Sequence, residues 1–283
     1  MIQYHDMLRH ILKNGSGHDD RTGVGTKSVF GYQNRYNLRD GFPLVTTKRL
    51  SFRWIAEELF WFLSGSTNVE DLRNRCKKPI TIWDDWADEK TCAKFGREAG
   101  DLGPIYGYTW NNFGGQYPER NGINQIEKLI NDIQKNPNSR RLIVSGWDPA
   151  TCEDVSLPPC HTLFQFKVDN GTLHCQLYQR SADSFLGVPY NIASYSLLTH
   201  MIAHVCGLQV GDFIHTFGDL HIYNNHIDQV NEQLSRDIRP LPTLTINERT
   251  YGKGYQGLMD INWSDILLSG YDPHPSIKAE VAV

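Results

Sequence analysis

The segment from Leu157 to His161 places a thiol where covalent chemistry is possible. Pro158 and Pro159 precede Cys160, and two consecutive prolines restrict the backbone and remove two amide donors. The reactive form of cysteine is the thiolate, which a nearby cationic side chain stabilises. A free cysteine is more often a small buried apolar residue. Its role here therefore depends on the charged and amide groups that the fold brings to it.

Arginines that flank turns indicate a site for an anion. They are Arg21, Arg140, Arg141 and Arg180. Ser181 and Asp183 follow Arg180 at a predicted strand end, and an arginine beside a hydroxyl suits a phosphate, which accepts paired donors. Arg140 and Arg141 are adjacent, and within a strand they would point to opposite faces. Both can bind one anion only if the backbone is irregular or the anion lies in a neighbouring subunit. Any one of these arginines could instead be a solvated surface charge.

Glu58 lies in an apolar predicted helix, on the face that it shares with residues 54, 55 and 62. A carboxylate among Trp and Phe side chains is costly to ionise unless it is paired. We therefore expect a raised pKa, which suits a group that relays protons. A salt bridge from Glu58 to Arg53 or Lys48 is the alternative, although Glu57 is better placed for that role.

Asn191 and Asp183 each allow a structural and a functional interpretation. Asn191 could cap the helix that follows it, or its amide could offer a donor and an acceptor to a pyrimidine edge. A buried amide discriminates strongly, because the wrong partner leaves polar groups unpaired. Asp183 could simply pair with a nearby arginine at the surface.

The pattern along the chain predicts an α+β fold, with helices packed on a mixed or antiparallel sheet and one domain over residues 1–283. Helices are predicted at Tyr4–Leu12, after an N-cap at Ser51 up to Leu63, at Ile123–Lys135 and at Ile192–Cys206. Strands are predicted at Thr26–Leu38, Leu142–Trp147, Leu163–Val168, Leu173–Tyr178, Phe213–Phe217 and Thr243–Ile246. Asp169-Asn170-Gly171 is a strong hairpin signal. The polar stretch 88–100 is typical of a surface insertion.

Composition and charge exclude several classes of protein. A net charge of −4 argues against DNA as a bulk partner. No apolar run approaches the roughly 20 residues that a membrane span needs, and no signal peptide is visible at the start, so we expect a cytoplasmic protein. Six cysteines without a C-x-x-C pair are expected to be reduced. The pair His200 and His204 lacks the Glu of a zinc protease, and His221 and His226 lack a third ligand, so we expect no metal.

Several of these segments occur together in a recognisable order. They are Asp20–Gly23, Thr46–Arg49, Glu58–Leu63, Ile82–Trp86, Gly103–Gly107, Arg140-Arg141, Pro159–His161, Gln179–Asp183, Asn191–Tyr195 and His221–Tyr223. With these motifs the chain resembles the thymidylate synthase family over nearly its whole length. The ordered set is far more specific than any one motif.

The resemblance implies an α+β subunit in a homodimer that is joined through a face of the sheet. It also implies a site for dUMP in which Arg140 and Arg141 reach the nucleotide of the other subunit. The remaining residues implied to bind dUMP are Arg21, Arg180 and Ser181 at the phosphate, Asn191 at the uracil edge, and His221 with Tyr223 at the deoxyribose.

The resemblance further implies 5,10-methylenetetrahydrofolate as co-substrate and reductive methylation of dUMP to dTMP as the reaction. The residues implied to face the folate are Trp83, Asp183, Gly187, Tyr190 and Val283. Cys160 would add to C6 of the pyrimidine, Tyr106 with an ordered water would help to remove the C5 proton, and Glu58 would relay protons. Arg180 and Asp183 complete the implied catalytic set.

Some positions depart from the family pattern. Thr109-Trp110-Asn111 stands where Gln-Trp-Arg is usual, Gly146-Trp147-Asp148 where Ala-Trp-Asn is usual, and Leu220 where a small residue is common. These departures raise an alternative in which water, rather than hydride, captures the exocyclic methylene and gives 5-hydroxymethyl-dUMP, as in related nucleotide hydroxymethylases.

Other residues bear on that choice. Asn191 argues against the cytosine-specific branch, where an acidic residue is expected. Trp83 and the Ala282-Val283 end argue for exclusion of water and hence for the synthase. A non-catalytic nucleotide- or RNA-binding protein is a third hypothesis, which the presence of both Cys160 and Glu58 disfavours.

Overall fold

The computed structural model describes residues 1–20 and 22–281. The α-helices are α1 Ile2–Asn14, α2 Phe52–Leu63, α3 Val69–Cys76, α4 Glu89–Ala93, α5 Tyr106–Asn111, α6 Gln125–Lys135, α7 Gly187–Cys206, α8 Ile227–Leu234 and α9 Gly254–Asp260. The strands are β1 Ser16–His18, β2 Thr26–Asn37, β3 Ile143–Ser145, β4 His161–Asp169, β5 Thr172–Asp183, β6 Gln209–Tyr223, β7 Thr243–Ile246 and β8 Ile266–Ser269. Helices and strands mix without a regular alternation, as the predicted α+β class requires.

A mixed sheet of six strands carries the fold, in the order β1-β2-β6-β5-β4-β3. Its neighbours are antiparallel except for β5 and β6, which run parallel. The hairpin between β4 and β5 turns through Asn170 and Gly171, at φ of 48° and 76°. Positive φ at both central residues is the property of a type I′ turn, so the Asn-Gly signal is confirmed. A separate antiparallel pair, β7 and β8, lies outside this sheet.

Helix α7 covers one face of the sheet and forms much of the core. It is apolar nearly all round, and it packs against β5 and β6 and also against helices α2, α6 and α9. It ends at Gly207, whose φ of 69° is the left-handed conformation expected after a helix. The prediction of Ile192 as its start is wrong by five residues, because the helix begins at Gly187. Asn191 therefore lies inside the helix, and the interpretation of Asn191 as its N-cap is also wrong.

Helix α2 is buried, as its apolar character predicted, and it brings aromatic rings together. Ser51 stands at its N-cap position but makes no side-chain capping bond. Phe62 packs against Tyr106, Trp110 and Trp83, with ring centroids 5.2, 5.6 and 6.0 Å away. These rings form a wall beside the α2 residue Glu58.

Helix α6 starts two residues later than predicted. Asn124 is its N-cap and accepts a hydrogen bond from the Glu127 amide. Ile123 pairs instead with Phe113 in an isolated antiparallel bridge. The apolar spacing extended the prediction too far because Ile123 matches the helical period while Asn124 competes for the start.

The segment 88–100 is largely exposed and contains α4. Its end is held by backbone hydrogen bonds from Val69 N–H to Gly100 O and from Gly100 N–H to Ala87 O. The predicted surface position of this stretch is confirmed.

The face of the sheet opposite α7 is not covered by the described residues. Gln33 and Gln176 both donate to the Thr216 hydroxyl on this face, at 2.9 and 3.1 Å. Ile143 and Leu163 contribute exposed apolar side chains near one edge. In the part of the chain that the structure describes, no helix has the length and apolar character needed to cross a membrane.

Candidate active site

The Cys160 thiol lies immediately before β4, in a segment fixed by two neighbouring elements. The Tyr106 hydroxyl at the start of α5 accepts a hydrogen bond from the Cys160 amide at 2.7 Å. The Cys160 carbonyl accepts from the Arg180 amide at 2.8 Å, which ties this segment to β5. Both neighbours are among the residues that sequence analysis singled out.

Arg180 orders the diproline segment with its side chain. Its guanidinium donates from Nε to Pro159 O and from Nη2 to Pro158 O, each at 2.9 Å. The same group lies 5.3 Å from the centre of the Trp147 ring. The two prolines supply no amide donors of their own, so their free carbonyls are what the guanidinium binds.

The charge state of Cys160 is set by opposing effects. Burial raises the pKa of the Cys160 thiol above its ordinary value, while the Arg180 cation and hydrogen bonding with Tyr106 lower it. The effect of Arg180 has the predicted direction, but burial is the larger cause. In the unliganded protein the thiol form is therefore favoured over the thiolate.

Glu58 faces the same aromatic wall and is held by Trp83. The indole Nε1–H of Trp83 donates to Glu58 Oε1 at 2.7 Å. Burial raises the pKa of Glu58 from 4.5 to about 7, and the Trp83 hydrogen bond only partly opposes this. The predicted rise is confirmed. The alternative salt bridge is formed by Glu57 instead, whose Oε1 is 3.7 Å from Arg53 Nε.

Tyr190 and Gly187 lie in the first turns of α7, near the two carboxylates of the candidate site. Burial raises the pKa of Tyr190, and the negative charge of Glu58 adds to this, so the two side chains are neighbours. A Cβ added at Gly187 would be 3.7 Å from Asp183 Cβ, an ordinary contact. Gly187 is therefore not required by close packing at this point.

Asp183 closes β5 and starts the turn into α7. Its Oδ1 accepts from the amides of Phe185 and Leu186, at 2.9 and 3.2 Å. The surface ion pair with an arginine that was considered for Asp183 does not occur within residues 1–20 and 22–281. The nearby cation is Lys48, which donates to Phe185 O.

Lys48 is a functional candidate to which sequence analysis gave no role in the site. Its Nζ lies 3.4 Å from the centre of the Phe185 ring. Burial lowers the pKa of Lys48 to about 7, and Asp183 opposes the shift. Lys48 lies in the Thr46–Arg49 motif, and this was the only sequence feature that pointed to it. The burial of a lysine depends on long-range packing that the local sequence does not reveal.

Asn191 belongs to a buried polar network beneath α7. Its Oδ1 accepts from Gln179 Nε2 at 3.2 Å, and Gln179 Oε1 is 2.8 Å from His215 Nε2. His161 is a further member: burial lowers the pKa of His161 to about 4, and a hydrogen bond with Asn191 opposes this. Sequence analysis identified Asn191 but assigned no role to Gln179 or His215.

The parallel pairing of β5 with β6 brings another group of predicted residues to one end of the sheet. Ser181 is in register with Asp219, and Asp183 with His221. His221 Nδ1 is 2.7 Å from Asp219 Oδ1, and the rings of His221 and Tyr223 are 5.1 Å apart. Ser181, His221 and Tyr223 thus lie on the same side of the molecule as the start of α7.

Arg140 and Arg141 lie elsewhere, exposed just before β3. Their backbone atoms make hydrogen bonds: Gln165 donates to Arg140 O, and the Arg141 amide donates to the Ser139 hydroxyl. The backbone is irregular at this point and not yet a strand. Arg21 and Val283, also predicted to bind ligands, lie outside the described residues.

The positions that depart from the family pattern have structural partners of their own. The Thr109 hydroxyl donates to the carbonyls of Pro104 and Ile105, at 3.1 and 3.2 Å. Asn111 donates to Phe62 O, and Leu220 is fully buried. A Cβ at Gly146 would lie 2.5 Å from His161 O, so glycine suits the backbone as it stands here.

Among residues 1–20 and 22–281, no three His, Cys, Asp or Glu side chains gather in a way that could hold a metal ion. The six cysteines are free. The sequence model of the family described as Thymidylate synthase matches residues 2–283. The match includes the nucleophile segment, the Glu58 helix and the amide network. This chain is a member of the thymidylate synthase family, and membership implies an enzyme that transfers a one-carbon unit.

Proposed function

We propose that this protein catalyses the reductive methylation of dUMP to dTMP, with 5,10-methylenetetrahydrofolate as the co-substrate. The observation that carries the proposal is the position of the Cys160 thiol between Arg180 and Tyr106, in a chain of this family. The aromatic wall with Glu58 supports it, since a carboxyl with a pKa of about 7 can both give and accept a proton near neutral pH.

Cys160 would open the reaction by adding its sulfur to C6 of the pyrimidine, which makes C5 nucleophilic. The thiol must lose its proton first, and the Arg180 cation and the Tyr106 hydroxyl both favour the thiolate. C5 would then bond to the methylene carbon of the folate while the bond from that carbon to folate N10 breaks, and N10 takes up a proton. This step joins the nucleotide and the co-substrate while the enzyme remains attached at C6.

Tyr106 would help to remove the C5 proton through an ordered water. Its hydroxyl already accepts from the Cys160 amide, so it stands at the same end of the pyrimidine as the thiol. Burial raises the pKa of Tyr106 well above its usual range, so the phenol remains protonated and serves as a relay rather than as a permanent base.

Glu58 would relay protons around O4 of the uracil and the folate nitrogen. Departure of the folate leaves an exocyclic methylene, and hydride transfer to that carbon oxidises tetrahydrofolate to dihydrofolate. The Cys160–C6 bond then breaks to release dTMP. Trp83, hydrogen bonded to Glu58, would keep water from the methylene.

The proposed dUMP site combines the residues at one end of the sheet with Asn191. Arg21, Arg180 and Ser181 would bind the phosphate, Asn191 the uracil edge, and His221 and Tyr223 the deoxyribose. The folate would lie against Trp83, Asp183, Gly187, Tyr190 and Val283. The register that aligns Asp183 with His221 supports a shared site for the two substrates.

A dUMP turnover assay tests the proposal. The protein is incubated with dUMP and 5,10-methylenetetrahydrofolate, dihydrofolate is followed by its absorbance, and the nucleotide is identified by mass. Formation of dTMP and dihydrofolate in equal amounts supports the synthase. Consumption of dUMP without dihydrofolate, with 5-hydroxymethyl-dUMP as product, would instead support the hydroxymethylase.

The proposal includes a homodimer formed through the open face of the sheet. Exposed Ile143 and Leu163 give this face an apolar edge, and its centre is polar through Gln33, Gln176 and Thr216. Arg140 and Arg141 adjoin β3 at that edge and are exposed, so their guanidinium groups could reach a neighbouring subunit. A shared phosphate site would explain why two adjacent arginines can serve one anion.

Mixing two inactive variants tests the shared site. A dimer of Cys160→Ala and Arg141→Ala subunits has one site with both essential groups and one site with neither. Random exchange of subunits should therefore restore about a quarter of wild-type activity, as two-fold symmetry requires. No recovery after complete exchange, shown by mass spectrometry of the mixed dimers, would refute the contribution of Arg141 across the interface.

A further inference from the structure

Three polar side chains from three elements meet beneath α7. His215 on β6 is completely buried and Gln179 on β5 is 3 % exposed. His215 Nε2 lies 2.8 Å from Gln179 Oε1, and Gln179 Nε2 lies 3.2 Å from Asn191 Oδ1 on α7. A buried row of this kind has few ways to satisfy all of its donors and acceptors.

The donors in this row can be assigned in order. Gln179 Nε2 also donates to Ser181 O at 3.0 Å, so its NH₂ group must face Ser181 and Asn191. Gln179 Oε1 then faces His215, and an oxygen there requires a donor. His215 must therefore carry its proton on Nε2. This assignment follows from satisfying the hydrogen bonds rather than from observing the hydrogen.

The other nitrogen of His215 agrees with this tautomer. His215 Nδ1 is buried and has no hydrogen-bond partner among the residues that the structure describes. A bare nitrogen tolerates that position better than an N–H group would, because an unpaired buried donor is costly. Burial lowers the pKa of His215 well below its ordinary value, with a further contribution from His161, so the ring is neutral.

The row determines which way the Asn191 amide is oriented. Asn191 Oδ1 accepts from Gln179, His161 makes a further hydrogen bond with the Asn191 side chain, and the remaining amide groups are left for other partners. Uracil presents an acceptor at O4 and a donor at N3–H, whereas cytosine presents a donor at N4 and an acceptor at N3. One orientation of the amide matches uracil, and the flipped orientation matches cytosine.

We propose that His215 is a positioning residue that sets the preference for uracil over cytosine by donating to Gln179, which in turn fixes the Asn191 amide. This inference rests on the proposed role of Asn191 at the pyrimidine edge. Without the His215 donor, the Gln179 amide is held only by its hydrogen bonds to Ser181 O and Asn191 Oδ1. Rotated states of the amide, which place an oxygen against Asn191 Oδ1, then become more populated. Two facing acceptors then favour rotation of Asn191 as well, and the uracil preference falls.

Two variants at His215 separate positioning from simple packing. His215→Phe keeps a flat ring but has no donor, and His215→Gln offers an amide N–H near the position of Nε2. Dissociation constants for dUMP and dCMP are measured by calorimetry, with thermal unfolding as the check on folding. His215→Phe should lower the dUMP:dCMP affinity ratio by about tenfold or more, the effect of losing one buried polar match. His215→Gln should recover most of it.

A double-mutant comparison tests whether His215 acts through Gln179. In a Gln179→Leu background, His215→Phe should leave the dUMP:dCMP ratio unchanged, because the intermediate group is already gone. A full and additional loss in that background would overturn the proposed route. A folded His215→Phe single variant with the wild-type ratio would overturn the proposal itself.

The wild-type protein provides a measurement that needs no variant. Long-range ¹H–¹⁵N correlation spectra of the histidine rings should show His215 as the neutral Nε2–H tautomer. A proton on Nδ1 would contradict the assignment. The binding experiments also distinguish this inference from the proposed function. A wild type that binds neither nucleotide overturns both, whereas a dUMP preference that is unaffected by His215→Phe overturns only the positioning role.

Discussion

Replacing Glu58 with Gln should make the stability of the protein less dependent on pH. Burial raises the pKa of Glu58 from 4.5 to about 7, so the folded protein binds a proton that the unfolded chain releases. A carboxyl whose pKa is higher in the folded state contributes most to the free energy of unfolding at a pH below its pKa in the unfolded chain. This contribution is lost as the pH rises through its pKa in the folded protein. Gln has no such proton, and its Oε1 can still accept from Trp83 Nε1.

The size of the effect follows from the pKa difference. A shift of about 2.5 units corresponds to about 3 kcal/mol, of which about 2.5 kcal/mol falls between pH 5 and pH 8. The free energy of unfolding of the wild type, relative to Glu58→Gln, should therefore decrease by about this amount across that range. Urea unfolding of both proteins at each pH and at one protein concentration measures the difference.

Glu127→Gln is the matched control, because Glu127 is exposed on α6. Its difference from wild type at each pH measures the effect of removing an exposed carboxyl alone. The reasoning about Glu58 would be refuted by a wild-type minus Glu58→Gln difference that is the same at pH 5 and pH 8. A change of the opposite sign would also refute it, since that would require a lowered pKa.

Three further substitutions test separate parts of the site. Arg180→Ala should weaken dUMP binding by about tenfold or more while the protein stays folded, because a charge-assisted pair with the phosphate is lost; equal wild-type affinity for dUMP and deoxyuridine, measured by calorimetry, would contradict the phosphate assignment. Asn191→Asp should shift nucleotide preference toward dCMP, because an ionised carboxylate only accepts hydrogen bonds: it can accept from N4 of cytosine but cannot donate to O4 of uracil. Unchanged selectivity in competition assays would show that another group reads the base. Cys160→Ser should leave dUMP affinity nearly unchanged but reduce turnover by several orders of magnitude; retained turnover would exclude Cys160 as the nucleophile.

The local sequence predicted those features whose causes are local. The Asn-Gly hairpin follows from positive φ at two adjacent residues, and the buried α2 follows from an apolar run. Glu58 was recognisable because its neighbours along the helix are Trp and Phe, which made a raised pKa a direct expectation.

The start of α7 was missed because Gly187-Val188-Pro189 has the composition of a turn. Proline is tolerated in the first turn of a helix, where its missing amide has no intrahelical partner. Asp183 Oδ1 also accepts hydrogen bonds from the amides of Phe185 and Leu186. These bonds order the turn that immediately precedes the helix. For these reasons helix α7 starts earlier than predicted, and Asn191 lies inside the helix rather than at its N-cap.

The Asn191–Gln179–His215 row and the burial of Lys48 could not be derived from local pattern. Gln179 and His215 are 36 residues apart, and they meet because β5 and β6 pair in parallel. Lys48 lies beneath Phe185, which is 137 residues away. Such contacts depend on the register between distant strands, which a single sequence specifies only through the complete fold.

The central claim is that the Cys160 sulfur bonds to C6 of the pyrimidine. The most direct test is the intact mass of the denatured protein after incubation with 5-fluoro-dUMP and 5,10-methylenetetrahydrofolate, since fluorine at C5 blocks the later proton loss. The account predicts a mass increase equal to the nucleotide plus the folate, located at Cys160 by peptide mapping and absent in Cys160→Ser. An unaltered mass in the wild type would contradict it.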